Sequence, residues 1–551
     1  MSAKLDVVLC WHMHQPWYVV DGEFTRPWVY LHALKDYSDM AAHLESQPQA
    51  CAVVNFVPVL IEQIERYADA VVAHATGSRL PDPLLEALAE PLPEAAAPRA
   101  AIAERCLAAT YPEALRRHAA YARVVDAARA LAAPGLERYL SASLLDDLLV
   151  WTHLVWLGEH DHREDPLVTR LVRRGAGFDR QDRAQLFALV GERLRGLLGR
   201  YRSLVDQDRI EISVSPWAHP LLPLLLDFEA AHETTPEAPL PEPPHYPGGR
   251  ERARWHLQHA LETAQRVFGR RPVGCWPPEA ALSAATLDLL SEFGFEWTAS
   301  SGAVLASSLR AAGTDVHCVH GAFRRGGGPH VFFRDDGLSD LIGFSYKNRP
   351  ADAAVQDLIG HLERIAAHCA REDAVVTIAL DGENAWAHYP HNAFDFLSIL
   401  YRELSSHATL RLTTCGRYLA RNVPAIDLAR VTAGSWVYGT LSTWIGHRDK
   451  NRAWEHLIAA KLRFDALDAT SAAHERLLAV CEGSDWYWWL GDDNAADVVA
   501  SFDQLFRAHL RALYHALGER PPAALDTPFS LGSQTAAAHD MRPTVDLPEG
   551  N

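Results

Sequence analysis

Seven short runs of β-branched and small apolar residues stand out along the chain, at 5–11, 51–57, 210–214, 273–276, 295–299, 330–334 and 375–380. Each has the length of a buried strand, and most are separated by apolar residues at helical spacing, at 30–46, 250–268, 283–293 and 352–371. Alternation of this kind predicts right-handed crossovers between parallel strands. The expected fold is therefore α/β, an incomplete (β/α)7 TIM-like barrel one strand short of the full TIM barrel.

Two stretches break the alternation. From about 60 to 205 the strand character disappears, and Ala, Leu, Arg and Glu at helical spacing predict a mainly helical insertion on a barrel loop, with no evident chemistry of its own. Residues 229–249, EAAHETTPEAPLPEPPHYPGG, are too rich in Pro and Glu for a regular element and are expected to be either disordered or a cover over a site. With these additions the catalytic barrel is expected to span 1–420. Helices loaded with tryptophan follow at 421–526, read as a C-terminal domain across the barrel mouth, and 527–551 reads as a poorly ordered tail.

Composition narrows the partners. Asp and Glu outnumber Lys and Arg by 70 to 52, a net charge of -18, so nucleic acid and anionic membrane surfaces are not expected to bind. No apolar run has the roughly 20 residues of a membrane span, and the N-terminus lacks the pattern of a secretory signal. The eight cysteines are far apart and form no CxxC pair, so neither a zinc knuckle nor a disulfide framework is suggested. A cytoplasmic, reduced protein without cofactor or metal is the expectation.

The chemistry-bearing residues collect at strand ends, where parallel barrels present their active groups. The run 375–380 ends in Asp381-Gly382-Glu383-Asn384, and Gly274-Cys275-Trp276-Pro277-Pro278-Glu279 repeats the arrangement with an aromatic before the acid. Asp-Gly after a strand is ordinary turn chemistry. Two such carboxylates on one barrel can instead divide the roles of nucleophile and general acid. Trp276 offers a flat face on which a sugar ring could stack. A second group is His12, His14, His219 and Tyr18, with Glu211. HxH at a strand end suits a metal, a rim of hydroxyl-binding groups or a satisfied core pair, and no third and fourth ligand at characteristic spacing favours the metal. The third group is Trp436 and Trp444, bordered by Gly, Ser and Thr as a ligand-facing platform would be, with 485–489 (DWYWW) beyond.

Five of these segments, HMHQP (12–16), IEISVSPWAHPLLPLL (210–225), CWPPEAALS (275–283), LDGENAWAHYP (380–390) and GSWVYGTLSTWIG (434–446), resemble in order the five motifs of glycoside hydrolase family 57. The resemblance spans most of the chain. It implies the (β/α)7 barrel with a helical domain, and retaining action on α-glucans without cofactor. Glu279 falls on the nucleophile and Asp381 on the acid/base, while His14, Glu211, His219, Trp276, Trp436 and Trp444 fall on positions lining the sugar subsites, with His12 beside them. The fourth and fifth motifs are similar to the amylopullulanase group. Ala280 stands where Gly often follows the nucleophile, and Ala387 where that group commonly has Glu, so linkage preference stays open between α-1,4 and α-1,6. Transglycosylation as a 4-α-glucanotransferase or branching enzyme is the alternative on the same scaffold. A metal-dependent hydrolase built on the HxH pair and a non-catalytic glucan-binding protein are the alternatives of other classes.

Overall fold

The computed structural model describes residues 5–133, 135–316, 318–369, 371–467 and 469–534. Leu5–Met13 (β1) is buried along its whole length. In chain order it is followed around a barrel by Ala52–Phe56 (β2), Ile210–Val214 (β3), Gly274–Cys275 (β4), Trp297–Ser301 (β5), His330–Arg334 (β6) and Val375–Asp381 (β7). Every neighbour pairs in parallel, β7 lies along β1 from Asp6 opposite Val375 to His12 opposite Asp381, and Thr377 opposite Arg334 closes the ring between β7 and β6. All seven runs legible in the sequence are barrel strands. Short strands at Ala322–Arg324, Leu410–Thr413 and Ile426–Asp427 extend the sheet, and Val19–Val20 pairs with Glu23–Phe24. Two or three residues long in most cases, these carry no hydrophobic run by which they could be seen in advance.

The barrel interior is packed. Val8, Cys10, Val53, Trp276, Trp297, Phe332 and Ala379 form one buried cluster inside it, as expected of a small barrel whose inward side chains fill the lumen. Register then sets the layer above. His12 lies opposite Asp381 on one side and Asn55 on the other, and Asn55 lies opposite Ser213, so four polar residues share one level near the strands' C-terminal ends.

Among the described residues, nine α-helices run from Pro58–His74 to Arg180–Asp206 where an insertion was expected. The last begins with a capping box, in which the Asp179 carboxylate accepts from backbone N–H groups and Asp182 reaches back. The helices Arg448–Asp465, Ala472–Cys481, Asp485–Trp489 and Ala496–Ala516 follow the barrel. They are tied to it through buried Glu482, which accepts from Arg252 (2.8 Å) and His256 (2.8 Å) of the helix Gly249–Phe268.

Three expectations change. Residues 229–249 are ordered against the later helices, with the Tyr246 hydroxyl bonded to Glu482 and the Pro239 carbonyl accepting from Asn451 (2.8 Å). Of the tail, residues 527–534 dock: Phe529 is buried and its N–H donates to Asp503 (2.7 Å), while 535–551 lie outside the described residues. Cys318 and Cys369, 51 positions apart, are joined as a disulfide, and Cys10, Cys51, Cys106, Cys275, Cys415 and Cys481 are free and buried. Only the fold brings the two sulfurs together, so their spacing gave no sign of it. No described helix is long and apolar enough to cross a membrane.

Candidate active site

The C-terminal ends of the strands open into a cleft of about 1050 Å3 that is lined by both Glu279 and Asp381. Glu279 follows β4 through two prolines and sits at φ 59, with Ala280 at φ 50. Both are in the left-handed region, which side chains other than glycine rarely adopt, at a cost of about 1–3 kcal/mol each. The surroundings hold the turn in place. The Glu279 carbonyl accepts from the Trp436 backbone N–H (3.0 Å), the Ala280 carbonyl accepts from the Ser300 hydroxyl (2.8 Å), and the Trp436 indole N–H donates to Glu279 Oε2 (3.0 Å). With 9% of its surface exposed, the Glu279 carboxyl is pushed up by burial to about 8; the Trp436 hydrogen bond opposes the rise, and the charges of Asp381 and Asp485 add to it.

Asp381 ends β7, where Asn384 Nδ2 donates to its Oδ2 (2.9 Å). The next residue is crowded: the Gly382 N–H donates to the His12 carbonyl (2.6 Å), and a Cβ there would lie 2.1 Å from Met13 Sδ, so that buried side chain would have to shift. Glu383 is buried, receives Gln15 Nε2 at 3.4 Å, and is raised well above the usual carboxylate range by burial and by Asp381.

The histidines form the floor between the two acids. Asn55 donates from Nδ2 to Ser213 (3.1 Å), so its Oδ1 is the acceptor that faces His12 Nδ1 at 2.7 Å. The proton of His12 is thereby placed on Nδ1, leaving Nε2 as a hydrogen-bond acceptor. Burial and the neighbouring His14 hold His12 down at about 3, so the ring is neutral. His14 Nε2 meets Asp485 Oδ1 at 2.8 Å, and His219, itself at φ 59, contacts the Ser484 hydroxyl through Nδ1 at 3.0 Å and lies 3.9 Å from Glu279 Oε1. His14 Nδ1 and His219 Nε2 are buried without a hydrogen-bond partner.

The ligand atoms of His14, His219 and Asp485 lie within 4.8 Å of one another, the spacing of a metal site. The rings, however, stack at 4.0 Å with 24° between their planes. Nearly parallel imidazoles keep their in-plane lone pairs in separate layers, whereas the ligands of one metal must converge on a point. Such a stack suits hydrogen bonding to a neutral ligand better than an ion.

Of the sequence-derived candidates, His12, His14, His219, Glu279, Asp381 and Trp436 line the cleft together. Three do not. Glu211 is the second residue of β3, near the strand end remote from the cleft, and accepts from Trp297 Nε1 (2.6 Å) and the Gly416 N–H (2.7 Å). Trp276 has no exposed surface: its ring points into the barrel and supports Trp436 from below, centroids 5.6 Å apart. Trp444 is equally buried, packed on Trp488. Sequence reasoning missed Gln15 and the insertion's contribution, Tyr111 and Trp156, which with Trp28 and Trp489 give the cleft aromatic walls. The insertion is thus part of the site. A lone aromatic, Tyr111, bordered by charged residues at 104–116, was the one available signal.

Residues 8–428, most of the chain, match the glycosyl hydrolase family 57 profile. The chain belongs to that family. Solved structures similar to this family 57 chain include a branching enzyme from Pyrococcus horikoshii (15% identity, TM-score 0.55, covering 95% of this chain and 93% of that one) and an α-amylase from Thermotoga maritima (12%, 0.57, 95% and 95%). A 4-α-glucanotransferase from Thermococcus litoralis is similar over 93% of this chain and 60% of its own (14%, 0.53). At such identities the likeness speaks for the barrel fold. No curated protein matches the sequence.

Proposed function

We propose that this protein is a retaining enzyme of α-glucans in which Glu279 is the nucleophile and Asp381 the general acid/base. The observation that carries the reading is the pairing of the two acids in one aromatic-walled cleft, close enough that the Asp381 charge raises the Glu279 carboxyl. Like charges in a dry site share protons, so that one acid attacks while the other protonates. In the reacting form the proton that burial holds on Glu279 in the free protein has passed to Asp381: Glu279, then ionised and oriented by the Trp436 N–H, attacks the anomeric carbon, and Asp381, steadied by Asn384, protonates the departing oxygen. A β-glucosyl enzyme forms, and Asp381 then takes a proton from the incoming water or sugar hydroxyl, restoring the α configuration. His12, with Nε2 free to accept, and the stacked His14 and His219 bind the hydroxyls of the ring being cleaved.

Hydrolysis is the first reading, with an amylopullulanase-like range of α-1,4 and α-1,6 linkages. Transfer to a sugar acceptor is the second, supported by the aromatic walls, which can hold an acceptor chain and exclude water. Incubation with maltoheptaose and with pullulan, following product length and anomeric configuration together, tests both: chains longer than the substrate establish transfer, and β-anomeric first products overturn the mechanism. The division into a barrel at 1–420 with its insertion and a helical domain at 421–526 is proposed on the same footing, since both additions supply cleft walls. For a cytoplasmic location, the six free cysteines speak in favour and the Cys318–Cys369 disulfide against; fractionation of the producing cells decides.

A further inference from the structure

The helix leading from β1 to β2 begins as Trp28–His32, widens into a π-helical turn at Ala33–Tyr37 and continues as Ser38–Ser46. Turns of this kind interrupt helices most often at functional sites. Here the turn sets a histidine against a buried acid: His32 Nδ1 meets Asp36 Oδ2 at 2.6 Å, and Asp36 Oδ1 accepts from Lys35 Nζ at 2.9 Å. Asp36 and Lys35 are both buried. The ammonium already supplies the countercharge, so the acid needs no second cation. What the carboxylate does for His32 is hold its proton on Nδ1 and fix the plane of the ring. His32 lines the same cleft as Glu279 and Asp381. With Nδ1 turned to Asp36, the edge carrying Nε2 is left to the cleft, and among the described residues that nitrogen has no protein partner. Aromatic rings frame it. Trp156 stands edge-on to the imidazole, centroids 5.2 Å apart with 87° between the planes, Trp28 lies at 6.5 Å, and both line the cleft. Lys35, 5.3 Å from the Trp156 centroid, braces that wall from behind.

Apolar faces around one polar edge complement a neutral sugar ring, which carries C–H groups on its faces and hydroxyls round its rim. A hydroxyl both donates and accepts, so it meets Nε2 whether or not that nitrogen carries a proton. An anion is served poorly, because Lys35 is already engaged by Asp36. The contacts also say on which side of the reacting centre this place lies. Lys35 donates to Asn392 Oδ1 (2.9 Å), and Asn392 belongs to the segment that leaves β7 past Asp381, from which Ala387 and His388 line the cleft. The pair is thus tied to the segment of the proposed acid/base, which has to stand beside the departing oxygen. We propose that His32, held by Asp36 and framed by Trp28 and Trp156, is a sugar-binding subsite for the chain on the leaving-group side of the scissile bond. The departing chain occupies it before cleavage, and an acceptor chain occupies it in transfer. This rests on the glucan reading above and adds the residue that grips a ring beyond the one being cleaved.

The test is His32→Phe, which keeps an aromatic ring in the wall and leaves Asp36 its bond to Lys35. The readout is the ratio of kcat/KM on maltoheptaose to kcat/KM on α-maltotriosyl fluoride, whose leaving group is fluoride and places no sugar on the leaving side. The variant is expected to lower this ratio by about 3- to 10-fold, the worth of one hydrogen bond to a neutral group. A ratio within about twofold of wild type, whether both rates hold or both fall together, overturns the inference and leaves the glucan reading intact, and so does a ratio that rises. Turnover of the fluoride but not of maltoheptaose by the wild type likewise overturns the inference alone. Wild-type inactivity on both substrates overturns the glucan reading and this inference with it. Should His32→Phe not fold, His32→Ala, smaller than the native ring, is read by the same ratio with the same outcomes.

Discussion

Replacing Glu279 with glutamine is expected to abolish turnover and, at alkaline pH, to make the protein more stable. The folded carboxyl lies at about 8 against 4.5 for an ordinary glutamate, a gap of roughly three and a half pH units. At about 1.4 kcal/mol for each, it corresponds to about 4–5 kcal/mol. Below pH 4.5 the side chain is protonated in the folded and unfolded chain alike, and no penalty operates. Between 4.5 and about 8 the unfolded chain gives up its proton while the folded one keeps it, so wild-type stability falls as pH rises. Above about 8 both are ionised and the loss is complete. An amide does not titrate. Urea unfolding of the wild type and of Glu279→Gln, followed from pH 5 to 9, should therefore show a gap of under about 1 kcal/mol at pH 5, about 3 at pH 7 and about 4–5 at pH 9, the variant being the more stable. A gap that stays flat across this range, or a variant less stable at pH 9, would refute the claim that Glu279 is held out of water beside other carboxylates.

Three further outcomes follow from single contacts. Trp436→Phe removes the N–H that steadies the Glu279 carboxylate; kcat/KM should drop by roughly 10- to 100-fold, the worth of a hydrogen bond to a charged group, and the acid limb of its pH profile should move upward. Gly382→Ala sets a methyl against Met13; circular dichroism should show a folded but less stable protein, destabilised by about 1–3 kcal/mol, with activity near zero because Asp381 is displaced. Glu211→Ala strips an acceptor from the Trp297 and Gly416 N–H groups; unfolding should become easier by about 1–3 kcal/mol with KM for maltoheptaose within about twofold of wild type, whereas a large rise in KM would return Glu211 to the substrate cleft.

The strands were legible because most couple a run of β-formers to an abrupt polar turn, and the turn residues are those that face the cleft. Asp381 and Glu279 could be found this way, as could His12 and His14, since alternate residues of a strand end lie on one side or flank its exit. Composition around a tryptophan was a poorer guide. Trp436 and Trp444 share the same small, polar neighbours, yet one ring reaches Glu279 and the other is sealed against Trp488, because the turn at Tyr438 and Gly439, both at positive φ, reverses the chain between them. Glu211 misled for a related reason: motif membership gives no position along a strand, and its place as second residue of β3 puts it at the far end. The insertion's share of the cleft depends on long-range packing, for which periodicity within one helix carries no signal.

The strained positions coincide with those proposed to attack and to bind, and the coincidence has a physical basis. His219, Glu279 and Ala280 all take left-handed backbone angles in the segments that leave the barrel strands, where a chain leaving the sheet would more easily relax into a common turn. What prevents relaxation is the barrel beneath and the helices that follow it: from the barrel, Ser215 bonds the Trp276 carbonyl (2.7 Å) and Ser300 the Ala280 carbonyl, and from the later helices Ser484 donates its backbone N–H to the His219 carbonyl (3.0 Å). Each of these contacts comes from a different segment, so the strain is distributed over the fold and no single turn could hold it. The same arrangement keeps the Glu279 carboxyl and the neutral imidazoles of His12 and His219 in a place water would otherwise solvate. Wild-type stability is lower for it, which is why removing the charge at 279 is expected to strengthen the protein while ending its chemistry.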